Sequence, residues 1–289
     1  MTNINWQKIK IYAWDLYHLY PNKSKAFIVA AILLFFIFIG SYIFKKHKVK
    51  IRLFVFLSLV LMGYIGYKFI LSYIKNLQKT TIETLENLNK NYIFGIDISH
   101  YNGTIDWEQI KASKFPIQFV FIRSSMGKNG TDKQFSVNYA KAKEAGYLVG
   151  VYHYYRPNEN STQQFNHFKS VYSYKKGDLP PVLDIEEMGK NGEENLRKGL
   201  LNFLQLIEKN WGIKPIIYSG RTFYLSYIEN YFSNYPLWVA AYSGENRVLN
   251  IQWKFHQFTE QLNIKGIEGA VDGNYFNGNK NNLKRLIPN

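Results

Sequence analysis

The sequence predicts an α/β protein with two transmembrane helices followed by a TIM-barrel-like (β/α)5(β)3 domain. Three observations carry this. Two long apolar runs near the N-terminus flank a strongly basic loop. From Tyr92 onward, short runs rich in β-branched and aromatic residues alternate with helical patterns. After the sixth strand-like run the helical patterns stop, and two more strand-like runs follow.

Residues 1–25 form an N-terminal segment. Residues 26–44 read AFIVAAILLFFIFIGSYIF and carry no charge. About 20 apolar residues, rising about 1.5 Å each, cross a bilayer core. Residues 53–74 form a second run, interrupted only by Lys68 near its end, where the long stem reaches the interface. Between them lies KKHKVKIR, with Lys45, Lys46, Lys48, Lys50 and Arg52. Short loops this rich in Lys and Arg stay in the cytoplasm. The hairpin, 26–74, then places both chain ends outside, with the domain extracytoplasmic. A cleaved signal peptide is the alternative for the first run. Its length, its start well inside the chain and the second run all argue against it. Residues 75–91 are polar with helical spacing and read as a linker to the domain at 92–289.

Within that domain the strand-like runs fall at 93–99, 117–123, 147–154, 181–186, 214–219, 237–241, 254–258 and 267–272. Helical patterns fall at 106–112, 133–145, 162–174, 193–210 and 222–231. Asp106 reads as the N-cap of the first and Gly146 as the C-cap of the second. Such alternation implies parallel strands with right-handed crossovers, and eight strands in this order suggest a closed barrel. A doubly wound open sheet is the alternative, but no Gly-rich phosphate loop supports it.

Cysteine is absent, which excludes a thiolate metal site, a cysteine nucleophile and a disulfide framework. The net charge of +15 is partly a topology signal beside the apolar runs. Nucleic-acid binding finds no helix-turn-helix, RNP motif or basic helix to support it. The aromatics, with Tyr at 23, Phe at 21 and Trp at 6, suit a sugar-binding cleft, but any single one suits a plain core better.

Four acids mark the candidate site. Asp97 lies near the end of the first strand in FGIDISH, Asp184 and Glu186 end the fourth in PPVLDIE, and Asp272 ends the eighth in GAVDGNYF. Barrel chemistry sits at the C-terminal ends of strands. Two residues apart on a strand, Asp184 and Glu186 share a face with Cα atoms about 6.5–7 Å apart. In a closed barrel the first and eighth strands are neighbours, so Asp97 and Asp272 also approach. Clustered carboxyls raise one another's pKa, and a neutral acid beside an ionised one is the equipment of glycoside hydrolysis. The competing reading of the cluster is a divalent metal site, with His100 and His153 also at strand ends; no His-x-His or HExxH pattern supports it, so no metal and no cofactor is expected.

The stretches FGIDISHYNGTIDW, FVFIRSSMG, GYLVGVYHYYRP, LPPVLDIE, KPIIYSG, LWVAAY, HQF and VDGNYF resemble glycoside hydrolase family 25, the Chalaropsis-type lysozymes, over residues 94–278. The resemblance implies a barrel of eight strands and five helices that cuts the β-1,4 bond between N-acetylmuramic acid and N-acetylglucosamine in peptidoglycan. The family's DxE motif falls on Asp184 and Glu186, making Glu186 the general acid. Asp184 would then orient the substrate's 2-acetamido group, which can itself act as nucleophile. The other family acids fall on Asp97 and Asp272, and family pocket positions on Tyr152, Tyr218, Trp238 and Gln257. Tyr152 and Trp238 are either sugar-stacking platforms or barrel filler.

The chain departs from the family pattern at Asn102-Gly103, where Gln-Gly is frequent, and at Met126-Gly127, where Glu-Gly is common. The second departure removes a polar group near the cleft. A peptidoglycan-binding barrel without activity is the rival reading, and retention of all four acids argues against it. Oligomeric state is not legible.

Overall fold

The computed structural model describes residues 92–242, 248 and 250–287, with scattered helical positions between 57 and 72. The expected segment 1–25, the first span at 26–44 and the linker at 75–91 lie outside the described residues, and the second span lies only partly within them. Among the described residues no helix is long and apolar enough to cross a membrane.

The domain opens with β1 (Tyr92–Ile98), a 3-10 turn (His100–Asn102), α1 (Trp107–Lys111), β2 (Phe119–Met126) and the short β3 (Gly130–Thr131). Next come α2 (Phe135–Glu144), β4 (Leu148–Tyr154), α3 (Ser161–Val171), β5 (Val182–Asp184) and α4 (Gly192–Trp211). β6 (Ile216–Gly220) leads into α5 (Arg221–Phe223), a π-helical turn (Tyr224–Ile228) and α6 (Glu229–Phe232). β7 (Leu237–Ala240), β8 (Phe255–Leu262), β9 (Val271–Asn277) and α7 (Lys280–Lys284) complete it.

Eight of these strands close a barrel in the order β1, β2, β4, β5, β6, β7, β8, β9, with β9 returning to β1 and β3 pairing with the C-terminal end of β2 beyond its β1 contacts. Neighbours from β1 through β8 run parallel, as strand–helix alternation requires. β9 is antiparallel to both β8 and β1.

This corrects the expected eighth strand. Residues 267–270 form a turn instead, and the strand starts at Val271. Gly266 takes φ +98, a conformation that side chains rarely adopt, and a Cβ there would meet Asp106 O at 2.4 Å. The Asp106 amide donates to Gly266 O, tying this turn to the N-cap of α1. Asp272 therefore begins its strand rather than ending it. It reaches the C-terminal rim because that strand runs the other way.

Period-two alternation sorts the side chains. Phe119, Phe121, Val182, Ile216, Trp238, Phe255 and Phe276 fill the lumen. Gly150 makes room for this packing, since a Cβ there would meet the Phe121 ring at 2.3 Å. Alternate residues, such as Val120, Ile122, Val149, Val151 and Leu183, face the helices. α4 answers with Leu196, Leu200, Phe203, Leu204 and Ile207 at helical spacing, all buried. Emptying one such position, Phe203→Ala for example, costs about 3–5 kcal/mol.

A bulge in β2 shifts the register between Arg123 and Ser125. Arg123 faces the lumen, Ser125 faces outward to His153, and Met126 turns back inward. Unbulged, Met126 would point away from the cavity.

Candidate active site

A cavity of about 550 Å³ opens at the C-terminal rim. All eight residues singled out from the sequence line it: Asp97, Asp184, Glu186, Asp272, Tyr152, Tyr218, Trp238 and Gln257. Each strand of the closed barrel supplies at least one lining group, β2 through Arg123. The carboxyls arrive as two pairs.

The first pair is Asp97 and Asp272, direct partners in the β1–β9 register. Gln257 Nε2 donates to Asp97 Oδ2 at 2.9 Å and to Asp272 Oδ2 at 3.2 Å. Gln257 Oε1 accepts from the hydroxyls of Tyr218 at 2.8 Å and Tyr242 at 2.9 Å. Two donors on one end and two acceptors on the other fix the amide's orientation. Asn274 Nδ2 adds a bond to Asp97 at 2.7 Å, while its Oδ1 accepts from Trp238 Nε1 at 2.7 Å. Burial first, and the charge of Asp97 second, push the Asp272 carboxyl up to about 9. Burial also raises Asp97, against the hydrogen bonds from Asn274, Gln257 and Asp272 that favour its ionised form. Asp272 thus holds its proton at neutral pH, while Asp97 collects the side-chain donors.

The second pair is Asp184 and Glu186, which share a hydrogen bond. Asp184 is enclosed, and burial followed by the charge of Glu186 lifts its carboxyl well above the usual range. Glu186 opens to solvent at the cavity, yet enough protein surrounds its carboxyl that desolvation raises it too. Their hydrogen bond raises Asp184 and lowers Glu186, which favours the proton on Asp184. Asp184 Oδ1 is buried and has no hydrogen-bond partner among the described residues. Such an acceptor is costly unless something donates to it.

Trp238 is 1 % exposed; Phe121 stacks on it at 4.4 Å and the Tyr218 ring meets it at 4.5 Å. It forms the cavity floor, and its indole N–H holds Asn274. Tyr152, also nearly enclosed, meets Trp238 at an interplanar angle of 82°. The two histidines lie outside the cavity lining that holds the four acids. His153 is enclosed beneath α3 and α4 beside Phe168 and Phe203 and bonds Ser125, and His100 bonds Asp132. Among the described residues no group of three or more His, Cys, Asp or Glu side chains is arranged to hold a metal ion. At the departure from the family pattern, Met126 Sδ accepts from Arg156 Nη2 at 3.2 Å.

Asn274, Tyr242, Arg123, Tyr154 and Arg156 were missed in the sequence. For Asn274 a signal existed, because Asp272, Asn274 and Phe276 lie two apart. Ending the strand at 272 hid it.

The family model for glycosyl hydrolases family 25 matches residues 96–267. The chain belongs to this family. Among family 25 structures, that of the Bacillus anthracis glycosyl hydrolase superposes with a TM-score of 0.62 at 26% identity, covering 69% of this chain and 95% of that one. A bacterial lysozyme from Streptomyces coelicolor gives a TM-score of 0.60 at 28% identity, covering 68% and 96%. In sequence, the chain is 38% identical over 200 residues to the uncharacterised protein YegX of Escherichia coli K12, covering 68% of this chain and 73% of that protein. It is 29% identical over 211 residues to lysozyme M1 of Streptomyces globisporus, covering 68% and 71%. The barrel is therefore that of a glycoside hydrolase of the lysozyme type.

Proposed function

We propose that this family 25 chain is a membrane-anchored muramidase that hydrolyses the β-1,4 bond between N-acetylmuramic acid and N-acetylglucosamine in peptidoglycan. The convergence of four carboxyls, Asp97, Asp184, Glu186 and Asp272, on one cavity at the C-terminal rim is the observation that carries this reading.

A glycan entering the cavity removes water from Glu186 and favours its neutral form. The shared proton then passes from Asp184 to Glu186, which faces the bond and donates it to the leaving oxygen. Asp184, now ionised, accepts the N–H of the 2-acetamido group from its place in the cavity lining. The acetamide oxygen, so oriented, attacks the anomeric carbon as the glycosidic bond breaks. Water then opens the resulting ring, with Glu186 taking back a proton. Asp97, whose ionised form the Gln257 and Asn274 hydrogen bonds favour, stabilises positive charge developing at the sugar.

The apolar runs at 26–44 and 53–74 and the basic loop between them support the anchor, with the barrel outside the cytoplasmic membrane. The test is mass spectrometry of sacculi digested by the full chain. Muramic acid at the new reducing ends is expected. Retained binding to sacculi without new ends would favour a glycan-binding barrel instead. Protease accessibility of the barrel in intact spheroplasts reads the topology.

A further inference from the structure

Tyr101 lies at the cavity yet takes no part in the chemistry above. It is 80 % exposed, the most open of the large apolar side chains among the described residues. Tyr231, also exposed, has Arg197 over its ring at 4.1 Å and lies away from the cavity lining.

An exposed aromatic on a loose loop would mean little, but this one is held. Its 3-10 turn carries a capping box, with the Tyr101 amide donating to Ser99 Oγ and the Ser99 amide to Asn102 Oδ1. Asn102 Nδ2 ties the turn to Ala270 O, beside the start of β9. The ring rests on Arg123, 5.0 Å from its centroid, and on His100, whose ring centroid is 4.2 Å away. Arg123 Nη2 and His100 Nδ1 are 2.6 Å apart, so both groups back the same side of the ring. Asp132 anchors both in turn, bonding Arg123 Nε at 3.1 Å and His100 Nδ1 at 2.9 Å. With one face supported and the side chain 80 % exposed, the other face is open.

We propose that Tyr101 is a stacking platform for a sugar ring of the bound glycan, at a subsite beyond the bond being cut. A flat, open, pre-positioned aromatic face suits the apolar C–H face of a pyranose and costs little ordering on binding. β1 and β5 stand three strands apart on the rim, so the platform approaches the cavity from a different side than Glu186. The proposal rests on the muramidase reading for the identity of its ligand.

The test uses the full chain as wild type, Tyr101→Ala and Tyr101→Trp, on long glycan strands and on the shortest cleavable oligosaccharide. Tyr101→Ala is expected to raise KM on long strands on the order of tenfold, the equivalent of 1.4 kcal/mol, with kcat held. KM on the short substrate should change little, and Trp should restore the long-strand value. Glycan binding by each form, with Glu186→Gln added to prevent turnover, provides a second readout. Wild type that binds glycan without cutting it overturns the muramidase reading, while Tyr101→Ala still reports on the platform through affinity. Equal KM and equal affinity for wild type and Tyr101→Ala overturn the platform.

Discussion

Asp97 and Asp272 face each other as register partners across the antiparallel pair β1–β9, and a single amide nitrogen, Gln257 Nε2, donates to both. One donor between two acids is a tolerable arrangement only when one of them keeps its proton. Asp272 does, with a carboxyl raised to about 9.

That proton links stability to pH. The unfolded chain releases it near the ordinary value of 3.8, and the folded chain near 9. Between those values the folded state binds more protons, so its stability is full below about pH 4 and falls as pH rises. Asp272→Asn removes this dependence. Its melting temperature is expected to exceed that of wild type at pH 8 by several degrees, given about 2–4 °C per kcal/mol for a domain of this size. Melting curves of the two proteins that stay parallel from pH 4 to 9 would refute the assignment.

Asn274 holds Asp97 from one end and Trp238 from the other. Asn274→Ala leaves both with an unmet bond inside the barrel, at a cost of about 1–3 kcal/mol. Urea denaturation should show that loss together with reduced activity. Asn274→Asp keeps an acceptor for Trp238 but sets a third carboxyl against Asp97. Its activity should fall more steeply than that of wild type as pH rises, and a pH–rate profile checks this.

At the opposite end of the barrel, ahead of β5, Asp178 is fully buried and bonded by Lys143 Nζ at 2.6 Å, Tyr139 at 2.6 Å and Tyr172 at 2.9 Å. Lys143→Met should cost about 1.5–3 kcal/mol, as for a hydrogen bond between charged groups. Kinetic constants measured below the melting range should be unchanged. A fall in kcat there would show that the two barrel ends are coupled.

The convergence of the acids was legible in the sequence because strand ends are marked by short apolar runs, and Asp97, Asp184 and Glu186 stand where those runs stop. Asp272 reached the right rim for a different reason than its position suggested. Strand direction is not written in a period-two pattern, and the turn at 267–270 mimics a strand because Ile267 is buried against the core. The Asn274 and Tyr242 contacts were hidden for the same cause, since they depend on which strand faces which. Trp238 shows a further limit: an aromatic at a strand end reads alike whether it offers its face or, as here, gives one face to Phe121 and its N–H to Asn274.

Glu186 as proton donor is the claim on which the rest stands, and paired kinetics of wild type and Glu186→Gln on two substrates test it most directly. On natural glycan, whose leaving oxygen needs a proton, the variant should lose on the order of 100-fold or more in kcat, within the ~10²–10⁴ that general acid help supplies. On an aryl glycoside whose leaving group departs without protonation, the deficit should shrink to a few-fold. Equal losses on both substrates, or full activity on glycan, would contradict the assignment.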